Sequence, residues 1–292
     1  MFALTVEAPA KINLSLAVTG RRSDGYHELA GVMALIDLTD TLTLTPGCSG
    51  LRVNAPPSEE IPVSRADNLA WRGLVAGAGG DPDIACMTLE KRIPMGAGLG
   101  GGSSDAGAGW RLGRRLADRP DVPTVDELTG ELAGIGADVP FFATMEPAAY
   151  VTGIGERVRS VAPREALVVL ALPRFRLSTA AVFAELSPSD WSGEAPDAQA
   201  TPGWNDLLGP AARLRPELDD LLRDMRTVGA EPHLSGSGPC CFALTDDPDR
   251  AAAVVAAMTA RGVCTMQTRL LTSAYEIAEL SAEHDTEEHD DA

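Results

Sequence analysis

The chain has 292 residues, of which 45% are hydrophobic and 4% aromatic, which predicts one large or two ordinary domains with an aliphatic core. Its formal net charge of −18 argues against nucleic acid or an anionic membrane as the main partner. The charge does not exclude a small phosphorylated ligand, because backbone N–H groups can hold phosphate. The sequence has neither an apolar run long enough to span a membrane nor a signal-peptide pattern, which favours a cytoplasmic location.

The cysteines and the acidic end give two further expectations. The cysteines are odd in number and lack metal-ligand spacing, which predicts reduced thiols at Cys48, Cys86, Cys240, Cys241 and Cys264. Residues 281–292 carry six acids and no lysine or arginine, which predicts a disordered tail over 279–292.

The first half of the chain mixes predicted strands and helices. Partial alternation predicts strands over 3–8 and 11–18, and one or two more over 31–46. Helical spacing predicts a helix over 68–78, and a strand over 83–94 then ends at Pro94, directly before a glycine-rich loop. Helices over 103–117 and 124–135 follow, and the sequence is β-like from 136 to about 161.

The second half repeats this mixture. We predict strands over 166–173 and 263–272, helices over 178–186, 205–226 and 247–262, and a strand or hairpin over 231–246. The polar segment 187–204 predicts a surface loop. The pattern therefore indicates an α+β protein with domains at 1–160 and 161–278.

The run IPMGAGLGGGSSDAGAG, residues 93–109, has five glycines between Gly96 and Gly102 and lies between a predicted strand and a predicted helix. This order suits a phosphate cradle, in which N–H groups and the helix N-terminus face an anion. A P-loop does not fit, since no lysine precedes Ser103. A dinucleotide fingerprint lacks its repeating βαβ surroundings, and a linker would not stand between a strand and a capped helix.

This loop, in the form PMGAGLGGGSSDAG, closely resembles the ATP-phosphate loop of the GHMP kinases. The segments APAKINLSLAVTGRRSDGYHEL, GADVPFF and SGSGPCCFAL resemble other motifs of that family, so the resemblance covers about residues 3–275. It implies a two-domain α+β fold, with an N-terminal ribosomal-protein-S5-like ATP-binding domain, a C-terminal ferredoxin-like domain and an active site in the cleft between them. The N-terminal segment looks like the branch that phosphorylates the 2-hydroxyl of a cytidine-diphosphate-linked polyol in non-mevalonate isoprenoid biosynthesis.

Lys11 and Asp138 are the candidate catalytic residues. A lysine beside an aspartate can orient and deprotonate a hydroxyl and steady a transferring phosphate. The residues alone leave a buried ion pair between two strands equally open. The resemblance favours catalysis, because both positions match the family's catalytic pair.

The other site residues rest on the same resemblance. It assigns ATP binding to Asn68, Lys91, Pro94, Met95, Gly96, Ala97, Gly98, Leu99, Gly100, Gly101, Gly102, Ser103, Ser104 and Thr179. It assigns substrate binding to Asn13, Tyr26, His27 and Phe183, with the cytosine between Tyr26 and Phe183 and its edge contacting His27. Taken singly, these aromatic residues also fit ordinary packing. The resemblance also assigns the second glycine–serine turn, Ser237 and Gly238, to the phosphate end.

The resemblance also implies the cofactors ATP and Mg²⁺. No acidic magnesium ligand is evident near the loop. Ser104 is the one side chain that we assign to the metal, and ATP and water would supply most of the ligands of the ion. The helix after the loop departs from the family, since Gly107, Gly109 and Gly113 replace alanine or larger residues. Each would cost about 0.5–1 kcal/mol of helix stability relative to alanine.

We therefore expect an enzyme with small-molecule partners, ATP and the cytidyl polyol, that is a monomer or homodimer. Another GHMP kinase of the homoserine or mevalonate type, or a non-catalytic nucleotide-binding regulator on the same fold, is the alternative. Tyr26, His27 and Phe183 argue against a homoserine or mevalonate kinase, because homoserine and mevalonate have no base to stack on these rings. Lys11, Asp138 and the glycine loop are all present, which argues against a non-catalytic regulator.

Overall fold

Two long antiparallel strands, β1 (Ala3–Arg21) and β2 (His27–Pro46), run through the molecule. The structure, a computed structural model, describes residues 2–57, 61–82, 85–119, 122–193 and 203–280. The β1–β2 register shifts at three irregularities, which bend the ribbon without ending it. The two strands predicted over 3–8 and 11–18 are therefore one.

The first sheet is built around this ribbon. It adds β3 (Gly50–Asn54), β4 (Ala85–Glu90), β5 (Ala148–Gly153), β6 (Arg157–Ser160) and β11 (Ala278–Leu280). Its path is β11–β1–β2–β4–β3, β5 also pairs with β2, and β6 pairs with β5. Strands β3 and β4 run parallel, and the other described pairs are antiparallel. Because β11 pairs with β1, residues near the end of the described chain return to the sheet in which it begins.

Helices α1 (Leu69–Ala78) and α2 (Gly101–Leu116) pack so closely that their backbones touch. A Cβ added to Gly73 would lie 2.0 Å from the carbonyl oxygen of Ala106, and one added to Gly109 would lie 2.2 Å from that of Ala70. Gly113 approaches α1 in the same way. Two of the glycines that depart from the family pattern therefore have a packing reason, since no larger residue fits between these helices.

The segment after α2 differs from its prediction in two ways. The helix predicted over 124–135 consists of α3 (Val125–Glu127), a π-helical turn (Leu128–Leu132) and α4 (Ala133–Ile135). The predicted β-like start at 136 is wrong for α5 (Val139–Ala143), where Pro140 suits a first helical turn. The physical reason is tertiary, because Phe142 packs against Gly107 of α2 and buries this apolar segment.

The second half forms a four-stranded antiparallel sheet with helices. Its elements are β7 (Leu167–Leu172), α6 (Thr179–Glu185), α7 (Leu208–Leu214), α8 (Glu217–Thr227), β8 (Pro232–Leu234), β9 (Cys241–Thr245), α9 (Pro248–Ala260) and β10 (Cys264–Arg269), in the sheet order β10–β7–β9–β8. The helix predicted over 205–226 is divided in two at Pro216, where a proline cannot continue the preceding hydrogen-bond ladder. The α+β class is confirmed.

The two halves share hydrophobic core. Ile12 and Ile36 of the first sheet pack in one buried cluster with Val168, Leu170 and Phe242 of the second. Short bridges pair Leu16 with Asn205 and Ile36 with Leu270. The cleft between the halves therefore has a common packed base.

One prediction about the cysteines is wrong. The structure joins Cys48 to Cys86 by a disulfide, because β3 lies beside β4 and brings their ends together, with 5.3 Å between the Cα atoms. Cys240, Cys241 and Cys264 are free, as predicted. The predicted disordered tail is wrong at Glu279 and Leu280, which pair with β1 as part of β11. Residues 281–292 of that tail and 194–202 of the predicted loop lie outside the described residues. Within the described ranges, no helix is both long and apolar enough to span a membrane.

Candidate active site

A cavity of about 1140 Å³ opens between the two halves. Its lining includes Lys11 and Asp138, the glycine loop, and the aromatic residues Tyr26 and Phe183. It thus combines the predicted phosphate loop, the predicted catalytic pair and the predicted base-binding residues in one space.

The ammonium of Lys11 is buried at the wall of this cavity, with the side chain 5% exposed. Its Nζ donates to Oδ1 of Asn13 at 2.6 Å and to the carbonyl oxygen of Gly98 at 3.2 Å, and it lies 3.6 Å from Oδ2 of Asp138. Lys11 and Asn13 share a face of β1, as their spacing predicts. Three oxygens therefore compensate a buried positive charge and fix its position.

The Asp138 carboxylate faces the open side of this cluster. Asp138 immediately precedes α5 and its side chain makes no capping hydrogen bond to that helix. The side chain is 28% exposed and lines the cavity. One ion-paired carboxylate oriented toward open space has the geometry that a general base requires.

Two glycines hold the loop against the rest of the site. Gly98 and Gly100 have φ values of +81° and +74°, which other residues rarely adopt. A Cβ on Gly98 would lie 2.3 Å from the carbonyl oxygen of Ser235, and one on Gly100 would lie 2.9 Å from the Phe142 ring. Gly100 also precedes the first turn of α2, so the loop leads directly into a helix N-terminus.

Nearly the whole predicted ATP loop lines the cavity, namely Pro94, Met95, Gly96, Ala97, Gly98, Leu99, Gly100, Gly101, Gly102 and Ser103. Ser104 does not belong to this lining. Its hydroxyl is buried and donates to the carbonyl oxygen of Pro9 at 2.6 Å. Ser104 is therefore directed into the protein, which contradicts its predicted contact with ATP and with the metal. A helix places neighbouring side chains on different faces, and here Ser103 faces the cavity.

Asn68 and Thr179 both line the cavity but belong to different walls. Asn68 caps α1, since its Oδ1 accepts from the backbone N–H groups of Ala70 and Trp71. Thr179 begins α6 in the second half and shares a hydroxyl hydrogen bond of 2.9 Å with Ser237. Asn68 therefore lies in the cavity wall that α1 forms, and Thr179 lies in the opposite half, beside the second glycine–serine turn.

Lys91, predicted at the ATP site, lines the cavity, and its ammonium belongs to a buried ionic cluster. Its ammonium contacts Asp40 and lies 2.6 Å from Oδ2 of Asp105, and all three residues are buried. Burial alone would lower the pKa of Lys91, but the two carboxylates outweigh burial and raise it. Burial raises the pKa of Asp105 to about 8, with Lys91 opposing and Asp40 adding to the shift. Oδ1 of Asp105 has no hydrogen-bond partner among the described residues.

The aromatic end of the cavity is formed by both halves. The rings of His27 and Phe183 are stacked, with 5.5 Å between centroids and 26° between planes, and Trp191 meets His27 edge-on. Tyr26 is 63% exposed at the cavity. Burial, with a smaller effect of Arg21, lowers the pKa of His27, so its imidazole is neutral at pH 7.

The second glycine–serine turn packs against the glycine loop and Lys11. Ser235 donates from Oγ to the carbonyl oxygen of Gly98 at 3.0 Å, and a Cβ on Gly236 would lie 3.3 Å from Nζ of Lys11. Gly236 and Ser237 line the cavity, whereas Gly238 packs on Leu234 instead. Of the two residues assigned to the phosphate end, Ser237 lines the cavity and Gly238 does not.

Comparison with known proteins agrees with this geometry. The profile of the GHMP kinases N terminal domain matches residues 68–145, and that of the GHMP kinases C terminal matches 198–264. The 4-diphosphocytidyl-2-C-methyl-D-erythritol kinase of Thermus thermophilus is 39% identical over 267 residues, 87% of this chain and 92% of the relative. The chain belongs to the 4-diphosphocytidyl-2-C-methyl-D-erythritol kinase family.

Further members of this family agree. The kinase of that name from Rhodopseudomonas palustris is 36% identical, over 87% of this chain and 92% of the relative. A crystal structure of a 4-(cytidine 5'-diphospho)-2C-methyl-D-erythritol kinase superposes with a TM-score of 0.75 at 36% identity, covering 91% and 98% of the two chains. A homoserine kinase from Cytophaga hutchinsonii has a TM-score of 0.65 at 15% identity, with 95% and 98% coverage, and shares the fold alone. The expected two-domain GHMP kinase fold is confirmed.

The sequence analysis did not predict a place at the site for Asp40, Asp105 or Trp191, which contact Lys91 and His27. Asp40 lies inside the threonine-rich strand β2, and Asp105 lies near the start of α2, where an acid is typical of a helix N-terminus. Trp191 lies in a segment predicted as a surface loop. The one available signal was Lys91, because a lysine that ends a buried strand directly before a glycine loop needs buried acidic partners.

Proposed function

We propose that this chain transfers the γ-phosphoryl group of ATP to the 2-hydroxyl of 4-diphosphocytidyl-2-C-methyl-D-erythritol, giving the 2-phosphate and ADP. The single observation that carries the proposal is the position of the Lys11–Asp138 pair, 3.6 Å apart, in a cavity that also contains the glycine loop and the stacked His27–Phe183 rings. One end of the cavity suits a triphosphate and the other suits a flat base. The family's name supports this pairing of substrates.

Asp138 is the proposed general base. Its carboxylate, 28% exposed, takes the proton from the acceptor hydroxyl as that oxygen attacks the γ-phosphorus and the bond to the ADP oxygen breaks. Lys11, whose ammonium lies 3.6 Å from this carboxylate, orients the hydroxyl and steadies the transferring phosphate. Gly98 holds Lys11 through its carbonyl, so the loop and the ammonium are positioned together.

The glycine loop is the proposed phosphate site. Its backbone N–H groups and the N-terminus of α2 supply partial positive charge to an anion without a basic side chain. This explains how a chain of net charge −18 can bind a triphosphate. Positioning and electrostatics then supply most of the rate enhancement, because phosphoryl transfer asks for little covalent help.

Mg²⁺ would enter as a complex with ATP and neutralise charge on the phosphates. The described residues contain no group of three acidic, histidine or cysteine side chains that could hold the ion. The hydroxyl of Ser104 donates to Pro9, so Ser104 does not fit the role predicted for it. We therefore assign the ion to the phosphates and water and derive no step through it. The cytoplasmic location and the monomeric or homodimeric state stay predictions.

ADP release by the purified chain tests the proposal. We expect turnover with Mg²⁺-ATP and 4-diphosphocytidyl-2-C-methyl-D-erythritol, and none above the acceptor-free rate with homoserine or mevalonate. Turnover with homoserine or mevalonate in place of the cytidyl acceptor would overturn the acceptor assignment. ATP binding without turnover on any acceptor would favour the non-catalytic regulator instead.

A further inference from the structure

Arg21 is a cavity residue that the proposed mechanism does not use. It is the last residue of β1 and pairs with His27 across the antiparallel ribbon. Residues directly opposite in such a pair project to the same face, with Cβ atoms about 4.5–5.5 Å apart. Because the His27 ring lies against Phe183, Arg21 extends from the same face at the aromatic end, and it lines the cavity.

The charge of Arg21 is uncompensated. Among the described residues that line the cavity, three carry a full positive charge: Lys11, Lys91 and Arg21. Lys11 lies beside Asp138, and Lys91 lies between two carboxylates. Arg21 is exposed and makes no ion pair or side-chain hydrogen bond with any part of the chain that the structure describes. It is therefore the cation at this end that remains available to a ligand.

The adjacent Arg22, by contrast, has its charge compensated by acidic neighbours. The Arg22 guanidinium contacts Asp24 at 2.8 Å and Glu28 at 3.7 Å, and Arg22 does not line the cavity. Two adjacent arginines, both exposed, thus have the same chemistry but different surroundings. One stabilises the turn between β1 and β2, and the other faces the cavity.

We infer that Arg21 binds the diphosphate of the acceptor. This inference rests on the proposed function, because it takes its ligand from the cytidyl substrate. In that substrate the diphosphate begins one ribose away from the base, so a base held at His27 and Phe183 brings its phosphates within reach of a long neighbouring side chain. A guanidinium matches phosphate oxygens in a two-point contact. In a chain of net charge −18, one free cation at the acceptor end also attracts an anionic ligand.

Ligand affinities of Arg21→Gln and Arg22→Gln, measured by calorimetry with cytidine, CMP and CDP, test this inference. We expect CDP to bind the wild-type chain more tightly than cytidine. We expect Arg21→Gln to lower the CDP affinity by about three- to tenfold, the range of a partly exposed charged contact, and to leave the cytidine affinity unchanged. Arg22→Gln leaves the CDP-to-cytidine ratio as in wild type. In turnover assays, Arg21→Gln raises KM for the cytidyl acceptor and not for ATP, and Arg21→Lys restores part of the loss.

The outcomes separate the two proposals. An unchanged CDP-to-cytidine ratio in Arg21→Gln, with normal turnover in wild type, overturns the role of Arg21 and leaves the proposed function intact. An equal loss for cytidine and CDP also overturns it, because Arg21 would then act on the base. Wild-type protein that neither binds CDP nor turns over the cytidyl acceptor overturns the proposed function and this inference with it.

Discussion

Lys91 and Asp105 are joined across the glycine loop: Nζ of Lys91 lies 2.6 Å from Oδ2 of Asp105, 14 positions further along the chain. Asp40 completes the contact and also accepts from the backbone N–H groups of Arg92 and Ile93, at 2.5 and 2.9 Å, where the loop segment begins. Both ends of the proposed phosphate loop are therefore attached to one buried ionic cluster.

This cluster predicts a specific pH dependence of stability. The folded-state pKa of Asp105, about 8, lies above its ordinary value of 3.8, so its contribution is present at low pH and lost as pH rises through about 8. Asp105→Asn cannot ionise and keeps one carboxylate, Asp40, for Lys91. We expect the melting temperature of the variant relative to wild type to rise between pH 4 and pH 8. A difference that stays flat over this range would contradict the prediction.

The close approach of Gly98 predicts a large effect of one methyl group. Gly98→Ala places a Cβ against the carbonyl oxygen of Ser235, which adds an overpacking cost of about 1–3 kcal/mol to the backbone strain. Gly96→Ala is the matched control, because Gly96 also has a positive φ but open space around it. We expect Gly98→Ala to lower the melting temperature and raise KM for ATP clearly more than Gly96→Ala. Equal effects of the two changes would mean that the contact with Ser235 does not hold the loop.

The aromatic end predicts a selective loss of acceptor binding. Stacking of a base on an aromatic ring contributes about 1–3 kcal/mol, which corresponds to about a 5- to 150-fold change in affinity. Phe183→Ala should raise KM for the cytidyl acceptor within this range and leave KM for ATP unchanged. Phe175→Ala serves as the control, since Phe175 packs in the core of the second half and does not line the cavity. A parallel rise of both KM values in Phe183→Ala would indicate a general packing defect.

The proposed base predicts a loss of rate without a loss of binding. Asp138→Asn keeps the shape of the side chain and removes its basicity, so we expect kcat to fall about 10²- to 10⁴-fold with little change in ATP affinity. Asp67→Asn, another aspartate in the cavity lining, should retain kcat within a few-fold. A fall of less than about tenfold in Asp138→Asn, roughly 1.4 kcal/mol, would remove Asp138 from the role of base.

The sequence was informative where the determinants are local. The order of strand, glycine loop and helix around residues 83–117 was predictable because proline and glycine act within a few positions. The predicted cap at Ser103, Ser104 or Asp105 is wrong, since α2 begins at Gly101 without a side-chain cap. Lys11 and Asn13 could be placed on one face because the side chains of a strand alternate. Family resemblance was needed to bring Asp138 to Lys11, since the two residues are far apart along the chain.

Elements that depend on tertiary contacts were not predictable in this way. The segment VPFFA has strand-forming residues and is helical because it packs on Gly107 of α2. Asp40 and Lys91 are 51 positions apart, and only the sheet brings them together. The Cys48–Cys86 pairing likewise follows from the neighbouring positions of β3 and β4, which cysteine spacing does not reveal.

The length of β1 has a mechanical consequence. The strand carries Lys11 at the proposed catalytic centre, and its residues pack in cores of both halves, Ile12 in the shared cluster and Leu16 and Val18 in that of the second half. Because β1 belongs to both cores, thermal unfolding of either half would expose apolar surface of the other. Calorimetry should record a single cooperative transition, and fragments cut near residue 160 should not fold alone, even though the two halves contribute separate walls to the cavity.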